Sequence, residues 1–215
     1  MGGKMSCTPQ ELVLICEDKK GAFSFPTFDA DEVYDRVYVG GQQTAKDKAK
    51  LQALCITHVL NCAEGTEMFN VDTNQAYYQE YQDTNIKYCG LPVNDVPGAN
   101  MRKHFNTAVK FIDEALEQED GKVLIHCVAG FSRSATIAIA YLMIRRGMTA
   151  QEATRTVRKK RPIGPNEECG FGPSPLWSPP STPSSACLLP PVAILLPDLQ
   201  SRICTGRGWP VCLPQ

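Results

Sequence analysis

The chain has 215 residues, with 22 Lys and Arg against 23 Asp and Glu, so its formal net charge is -1. This balance gives no whole-protein attraction for nucleic acid or membranes, so we expect no nucleic-acid partner and predict that any anion site is local. Ten cysteines are scattered without a regular framework and no apolar signal segment opens the sequence, which argues against a secreted disulfide scaffold and predicts a reducing compartment.

The first half of the chain alternates short strand and helix patterns. In chain order we predict a weak helix around Glu11–Glu17, a Phe-Pro loop, a strand at Arg36–Gly40, a helix at Thr44–Leu54 capped by Thr44, a buried strand at Ile56–Ala63, a short helix carrying Tyr77, Tyr78 and Tyr81, and a strand at Ile86–Val93.

The second half has stronger local signals. We predict a long amphipathic helix from the cap Asn100 to Gly121, a very apolar strand at Lys122–Cys127, a buried helix from about Ser134 to Arg146 closed by Gly147, and a helix opened by the capping box Thr149–Glu152 and ended by Pro162. Together these elements predict an α/β fold with a central, mostly parallel sheet flanked by helices.

The composition divides the chain into three predicted parts. These are an N-terminal segment at 1–27, a folded domain at 28–168 and a Pro-rich tail at 169–215. Ten of the 16 prolines lie between Pro173 and Pro214, a composition that predicts a disordered tail. The opening residues also match the pattern for N-myristoylation at Gly2, so a membrane is an expected partner only if Gly2 is acylated.

One segment carries most of the predicted chemistry. Cys127 ends the apolar strand, Arg133 follows six residues later at the start of a helix, and five residues connect them: Val128, Ala129, Gly130, Phe131 and Ser132. A loop of this length can turn its backbone N–H groups toward one phosphate, with help from the helix N-terminus. Gly130 permits the backbone angles that this curl needs, and Arg133 can grip two phosphate oxygens.

The same donors stabilise a thiolate, so we expect Cys127 to act as a nucleophile. The competing interpretation is an inert core cysteine with a surface arginine, but the surrounding His126, Gly130 and Ser134 make it much less favoured. Ser134 is predicted to donate to the sulfur when it leaves. Asp95 lies in a Pro/Gly loop after a strand, and we predict that it is the general acid that protonates the departing oxygen.

These motifs resemble the atypical dual-specificity phosphatases, nearest the VHR type. The resemblance rests on His126-Cys127-x5-Arg133-Ser134, the upstream Asp95, Ile163–Asn166 and Thr57–Asn61, and covers about residues 28 to 167. It implies a protein tyrosine phosphatase-like domain that hydrolyses phosphotyrosine and phosphoserine or phosphothreonine in proteins without a metal or other cofactor. MAP kinases are the implied substrates, and cytoplasm and nucleus are the expected locations.

The resemblance also implies three supporting residues. Asn166 would brace the phosphate loop, Arg161 would receive a second phosphate, and His126 would tune the cysteine rather than act as a base. After Asn166 the chain departs from the family, which usually continues into a last helix. This departure leaves an alternative open, in which the chain is a catalytically weak or inactive phosphoprotein-binding form.

Two other enzyme classes are less favoured by the same residues. A lipid phosphatase would be expected to place basic residues inside the loop, whereas Val128, Ala129 and Phe131 are uncharged. A sulfur-transfer or arsenate-reducing enzyme would not need Asp95 in this order and spacing.

Overall fold

The computed structural model describes residues 7–27, 29–79, 85–93 and 100–165. The helices and strands are α1 Pro9–Cys16, β1 Asp31–Tyr34, β2 Val37–Gly40, α2 Gln42–Lys46, α3 Lys48–Ala53, β3 His58–Asn61, α4 Gln75–Gln79, β4 Lys87–Gly90, α5 Arg102–Leu116, β5 Val123–His126, α6 Arg133–Arg146 and α7 Ala150–Lys160. The predicted tail, Gly2, Tyr81, Asp95 and Asn166 lie outside the described residues.

The centre of the domain is a five-stranded sheet with the order β1-β2-β5-β3-β4. Strand β1 pairs antiparallel with β2, whereas the other neighbouring strands are parallel. Helices cover both faces of this sheet, and β5 is central and fully buried. The predicted fold class, a mostly parallel sheet flanked by helices, is therefore confirmed.

Each face of the sheet has its own hydrophobic core. On one face, Val39, Leu60 and Ile125 pack with apolar residues of α5, α6 and α7. On the other face, Val59 and Leu124 pack with the three short helices α2, α3 and α4. Alternate residues of each strand point to opposite faces, which explains why neighbouring residues such as Val59 and Leu60 belong to different cores.

Several predicted helix ends are confirmed by their capping groups. Thr149 accepts a hydrogen bond from the Glu152 backbone while the Glu152 side chain accepts one from the Thr149 backbone, so the capping box that opens α7 is present. Gly147 ends α6 with a φ of 64°, the left-handed conformation that glycine adopts without strain. The expected cap of α5, Asn100, lies one residue too early: the N-cap is Met101, although the Asn100 side chain accepts from the Arg102 N–H.

Two predicted boundaries are wrong. The expected helix at Thr44–Leu54 is two helices, because the Asp47 side chain accepts from the Lys50 N–H and opens α3 separately. Thr44 therefore lies buried inside α2, whose N-cap is Gly41, and is not the cap that the sequence predicts. Helix α5 ends at Leu116 rather than at Gly121, where a Cβ would meet the Ala115 carbonyl.

None of the helices in the described ranges is long and apolar enough to cross a membrane.

Candidate active site

The predicted nucleophile lies where the central strand ends. Cys127 follows β5 directly, is only 3 % exposed, and its Sγ lies 3.4 Å from the Oγ of Ser134 in α6. The two residues are brought together because the loop from 127 to 132 returns the chain to the end of the sheet, where α6 begins. A hydroxyl at this distance can donate a hydrogen bond to a sulfur that carries negative charge.

All six carbonyl groups of this loop, which we call the phosphate loop (residues 127–132), are held by donors from the rest of the protein. The Val128 carbonyl accepts from the Gln42 N–H at 2.9 Å and the Phe131 carbonyl from the Gly164 N–H at 3.2 Å. The Ser132 carbonyl accepts from the Thr136 N–H at 2.9 Å. Donors distant in sequence therefore fix the four peptide carbonyls from Val128 to Phe131, and near neighbours fix those at the two ends of the loop.

The backbone N–H groups of the phosphate loop, unlike its carbonyl groups, are mostly without partners in the described residues. Those of Val128, Ala129, Gly130 and Phe131 donate to no acceptor in the described part of the chain. Of these four residues only Gly130 is buried, but consecutive amides without protein acceptors beside a buried thiol are typical of an anion site. Gly130 makes the curl possible, since its φ is +68° and a Cβ there would lie 2.4 Å from the Gly40 carbonyl oxygen.

Arg161 supplies two of the six loop contacts. Its Nε donates to the Gly130 carbonyl at 2.8 Å and its Nη2 to the Ala129 carbonyl at 3.3 Å. Its Nη1 forms an ion pair with Asp31 at 2.7 Å, and the side chain is fully buried. The expectation that Arg161 receives a second phosphate stays a prediction, and this geometry counts against it, because the guanidinium is enclosed and occupied by the loop.

Arg133 lies at the first turn of α6 and is 1 % exposed. Its Nη1 donates to the Phe69 and Val93 carbonyls, each at 2.9 Å. The guanidinium is thus held between the segment after β3 and the segment after β4. Neither contact could be inferred from sequence, because the partners lie 64 and 40 residues away.

His126 supports the loop as a neutral residue. Its Nδ1 lies 3.3 Å from the Cys127 carbonyl, and a proton assigned to Nδ1 makes it the donor to this acceptor. Complete burial lowers the pKa of His126 to about 4, so the imidazole is uncharged at neutral pH. His126 therefore adds no positive charge beside Cys127 at neutral pH.

Two predicted site residues cannot be placed. Asp95 and Asn166 lie outside the described residues, so their roles stay predictions. Their neighbours in sequence do reach the site. Val93, two residues before Asp95, contacts Arg133, and Gly164, two residues before Asn166, contacts the phosphate loop.

A buried thiol with a hydroxyl beside it, followed by loop amides without protein acceptors and by an arginine at the start of a helix, is typical of the site of a cysteine-based phosphatase. Comparisons with known proteins agree. Residues 37–171 match the family model described as dual specificity phosphatase, catalytic domain. The chain therefore belongs to the dual-specificity phosphatase family, within the cysteine-based protein tyrosine phosphatase superfamily. The predicted domain limits of 28–168 remain a prediction.

Crystal structures of related proteins have the same fold. A human tyrosine phosphatase-like serine/threonine/tyrosine-interacting protein is 32 % identical, with a TM-score of 0.55 over 65 % of this chain and 89 % of that chain. DUSP15 is 28 % identical, with a TM-score of 0.54 over 66 % of this chain and 83 % of that chain. The Yvh1 phosphatase domain from Chaetomium thermophilum is 25 % identical, with a TM-score of 0.50 over 68 % of this chain and 90 % of that chain.

Proposed function

We propose that this chain is a protein phosphatase that hydrolyses phosphotyrosine and phosphoserine or phosphothreonine through a phosphate ester on Cys127. One observation carries the proposal. The six carbonyls of the phosphate loop are turned toward the protein, while the N–H groups of residues 128–131 have no acceptor in the described residues. Such a cradle suits a dianionic phosphate above the Cys127 thiolate.

In the first step the Cys127 thiolate attacks phosphorus and the bond from phosphorus to the substrate oxygen breaks. Arg133 and the loop amides stabilise the charge on the three remaining oxygens. Asp95 in its acid form gives its proton to the departing oxygen, so the product leaves as a neutral hydroxyl. The support for Asp95 is its position in sequence, two residues after Val93, whose carbonyl contacts Arg133.

In the second step water attacks the phosphocysteine. Asp95, now a carboxylate, takes a proton from that water as the bond from sulfur to phosphorus breaks. The Ser134 hydroxyl, 3.4 Å from the sulfur, donates a hydrogen bond to the thiolate as it leaves. Inorganic phosphate is released and Cys127 returns to its starting state.

The substrates and location of the protein rest on resemblance alone, and its attachment to a membrane rests on the N-myristoylation pattern at Gly2. MAP kinases are the candidate substrates that the family resemblance implies, with the cytoplasm and nucleus as locations. Attachment to a membrane would require an acyl group on Gly2. Each of these belongs to the proposal.

A second function has one specific observation in its favour. The human relative that is 32 % identical is named as phosphatase-like and as an interacting protein. The same cradle could bind a phosphoprotein without turnover, especially since the chain departs from the family after Asn166. The presence of Cys127 and Ser134 in contact favours catalysis.

An activity assay separates the two functions. Purified full-length protein should hydrolyse p-nitrophenyl phosphate and both phosphotyrosine and phosphothreonine peptides, whereas Cys127→Ser should bind these peptides without turnover. Cys55→Ser is the matched control, because Cys55 is exposed and lies in a turn outside the loop. Binding by the wild type with no hydrolysis of any substrate would favour the phosphoprotein-binding function.

Asp95 is tested by the leaving group. Asp95→Asn should lower kcat for phosphopeptides by about 10² or more, the usual worth of a general acid. The loss should be smaller for p-nitrophenyl phosphate, whose leaving group scarcely needs a proton. An equal loss on both substrates would count against Asp95 as the acid.

A further inference from the structure

Large apolar side chains are exposed around the phosphate loop. Six such residues are exposed in the described part of the chain: Leu14, Phe23, Phe25, Met68, Phe69 and Ile144. Four of the six, Phe23, Phe25, Met68 and Phe69, belong to two short segments that contact the phosphate loop or Arg133. We call these four residues with Phe131 the apolar rim.

The first segment reaches the loop through stacked aromatic rings. The Phe25 ring stacks on Phe131 with centroids 5.0 Å apart, and Phe23 approaches the same ring edge-on at 6.0 Å. Phe131 itself is part of the phosphate loop, and its carbonyl is bound by the Gly164 N–H. Yet Phe25 remains 77 % exposed, so the stack leaves most of its surface to solvent.

The second segment reaches the site through its backbone. The Phe69 carbonyl accepts a hydrogen bond from Arg133 at 2.9 Å, which places this residue beside the phosphate clamp. Its side chain is 59 % exposed, and that of the preceding Met68 is 87 % exposed. Because the backbone is fixed and the side chains are not buried, their apolar surface adds little to the stability of the domain.

A cluster of exposed apolar surface generally marks a site for a partner, whereas single exposed residues such as Leu14 and Ile144 are ordinary. The rim is also uncharged over Phe23–Thr27 and Met68–Asn70. It is continuous with the cradle that would receive a substrate phosphate. Arg161, which donates to the Thr27 carbonyl of the first segment, is buried under the loop and offers no exposed charge to a ligand.

We propose that the apolar rim binds large apolar residues immediately flanking the phosphorylated residue of a protein substrate. This inference rests on the proposed function, since it names the substrate class of the same site. Phe23 and Phe25 with Phe131 bind one flank, and Met68 with Phe69 binds the other. A substrate with small polar residues on either side of the phosphorylated residue places its phosphate in the cradle but leaves the apolar rim exposed to solvent.

Two phosphotyrosine peptides of equal length and charge test this selectivity. They differ only in the residues directly before and after phosphotyrosine, which are leucine in one peptide and serine in the other. We expect kcat/KM to be about tenfold higher for the leucine peptide, as partial burial of one or two leucine side chains would give. Because a general loss of activity lowers kcat/KM for both peptides by the same factor, it leaves their ratio unchanged.

Variants then assign the selectivity to the rim. Phe25→Ser and Met68→Ser should each reduce the tenfold ratio severalfold, and the double variant should bring it near one. Ile144→Ser is the matched control, because Ile144 is 48 % exposed but lies 11 residues along α6 from Arg133, roughly 16 Å. This control should keep both the ratio and the activity.

The outcomes separate the two proposals. If the wild type hydrolyses neither p-nitrophenyl phosphate nor either peptide, the proposed function fails. If it is active but the ratio is near one, or if the double rim variant keeps the ratio, the rim proposal alone is overturned. It is also overturned if the rim variants abolish a dimer seen by sedimentation, or binding to phosphatidylcholine/phosphatidylserine vesicles, while the ratio is unchanged.

Discussion

At the scale of single residues, Arg161 affects the proposed chemistry by holding the backbone of the phosphate loop. Its guanidinium joins two phosphate-loop carbonyls to Asp31 and to the backbone of the segment before β1. Carbonyls held in this direction leave the neighbouring amides directed at the phosphate. We therefore regard Arg161 as a positioning residue.

Arg161→Met removes these donors while keeping much of the side-chain volume. We expect kcat/KM for p-nitrophenyl phosphate to fall by roughly 10², since a displacement of about 1 Å in a catalytic group has that effect. Arg161→Lys should restore part of the loss. Arg158→Met is the control, because Arg158 donates to the Cys16 carbonyl and not to the loop.

The outcomes distinguish a loop support from a phosphate-binding cation. A lower kcat with little change in the Arg158→Met control supports positioning. If Arg161→Met impairs only doubly phosphorylated peptides and leaves p-nitrophenyl phosphate turnover intact, the second-phosphate expectation is supported and the positioning role is wrong.

His126 gives the protein a predictable response to acid. Burial lowers its pKa from an ordinary 6.5 to about 4, so between these values the unfolded chain binds a proton that the folded chain does not. Stability is therefore unaffected above about pH 6.5 and falls as the pH drops toward 4. The full loss from this one group is about 3 kcal/mol.

His126→Asn tests this response, because asparagine keeps a donor for the Cys127 carbonyl but does not titrate. Urea unfolding at pH 7 and pH 4.5 should show a smaller loss of stability on acidification for His126→Asn than for the wild type. His104→Asn should have a weaker effect, since His104 is only partly buried. An unchanged loss in His126→Asn would contradict the account.

At the scale of elements, the register of the sheet places Cys62 beside Cys127. Strands β3 and β5 are parallel with Asn61 opposite His126, and the Cys62 N–H donates to the His126 carbonyl at 2.7 Å. Cys62 and Cys127 are therefore the next pair and share one core face. Adjacent strands lie about 4.8 Å apart, which falls within the range of Cα separations in disulfides.

We predict that hydrogen peroxide converts Cys127 to a sulfenic acid, which Cys62 then captures as a disulfide with release of water. Burial raises the pKa of Cys62, so Cys62 itself should resist peroxide. In the wild type, dithiothreitol should restore activity, whereas in Cys62→Ser a second equivalent of peroxide should oxidise the uncaptured sulfenic acid to a sulfinic acid, with release of water, and dithiothreitol does not reduce that product. Cys89→Ser should behave like the wild type, and mass spectrometry should link Cys62 to Cys127. A link from Cys127 to Cys89 would contradict this register argument.

The elements also show what sequence could and could not predict. The apolar run before Cys127, the capping box at Thr149 and Gly147 are local signals, and each was located correctly. The division of the Thr44 helix depends on Asp47 capping a second helix, a choice that helical spacing does not encode. Sequence therefore predicts a helix end that neighbouring residues set, but it does not predict which of two possible capping residues begins a helix.

In the candidate active site too, some contacts could be predicted from the sequence and others could not. The spacing of Cys127, Arg133 and Ser134 follows from one loop and predicts their proximity. The partners of Arg161 lie as far as 134 residues away, so its burial could be seen only after folding. The stacking of Phe25 on Phe131 joins the N-terminal segment to the loop in the same non-local manner.

At the scale of the whole molecule, every contact to the phosphate loop within the described residues comes from residues up to Gly164. We therefore predict that the segment after Glu168 contributes little to catalysis. A version stopped at Glu168 should keep kcat/KM within about twofold, since it keeps every loop contact of the described residues. Its melting temperature should stay close to that of the full-length protein.

Limited proteolysis provides the complementary measurement, because a Pro-rich segment without a packed face should be cleaved first. If residues after Glu168 resist protease, and their removal lowers the melting temperature by several degrees, the tail is a docked structural element. The predicted boundary at 168 would then be wrong.

The central claim is that Cys127 receives the phosphate. The most direct measurement is mass spectrometry after an acid quench of the reaction with p-nitrophenyl phosphate, using the wild type and Asp95→Asn. Asp95→Asn should accumulate more of the intermediate, because the second step has lost its base. We expect the mass spectra to show phosphate on Cys127 and no bound phosphate in Cys127→Ser. Phosphate on another residue, or steady turnover by Cys127→Ser, would contradict it.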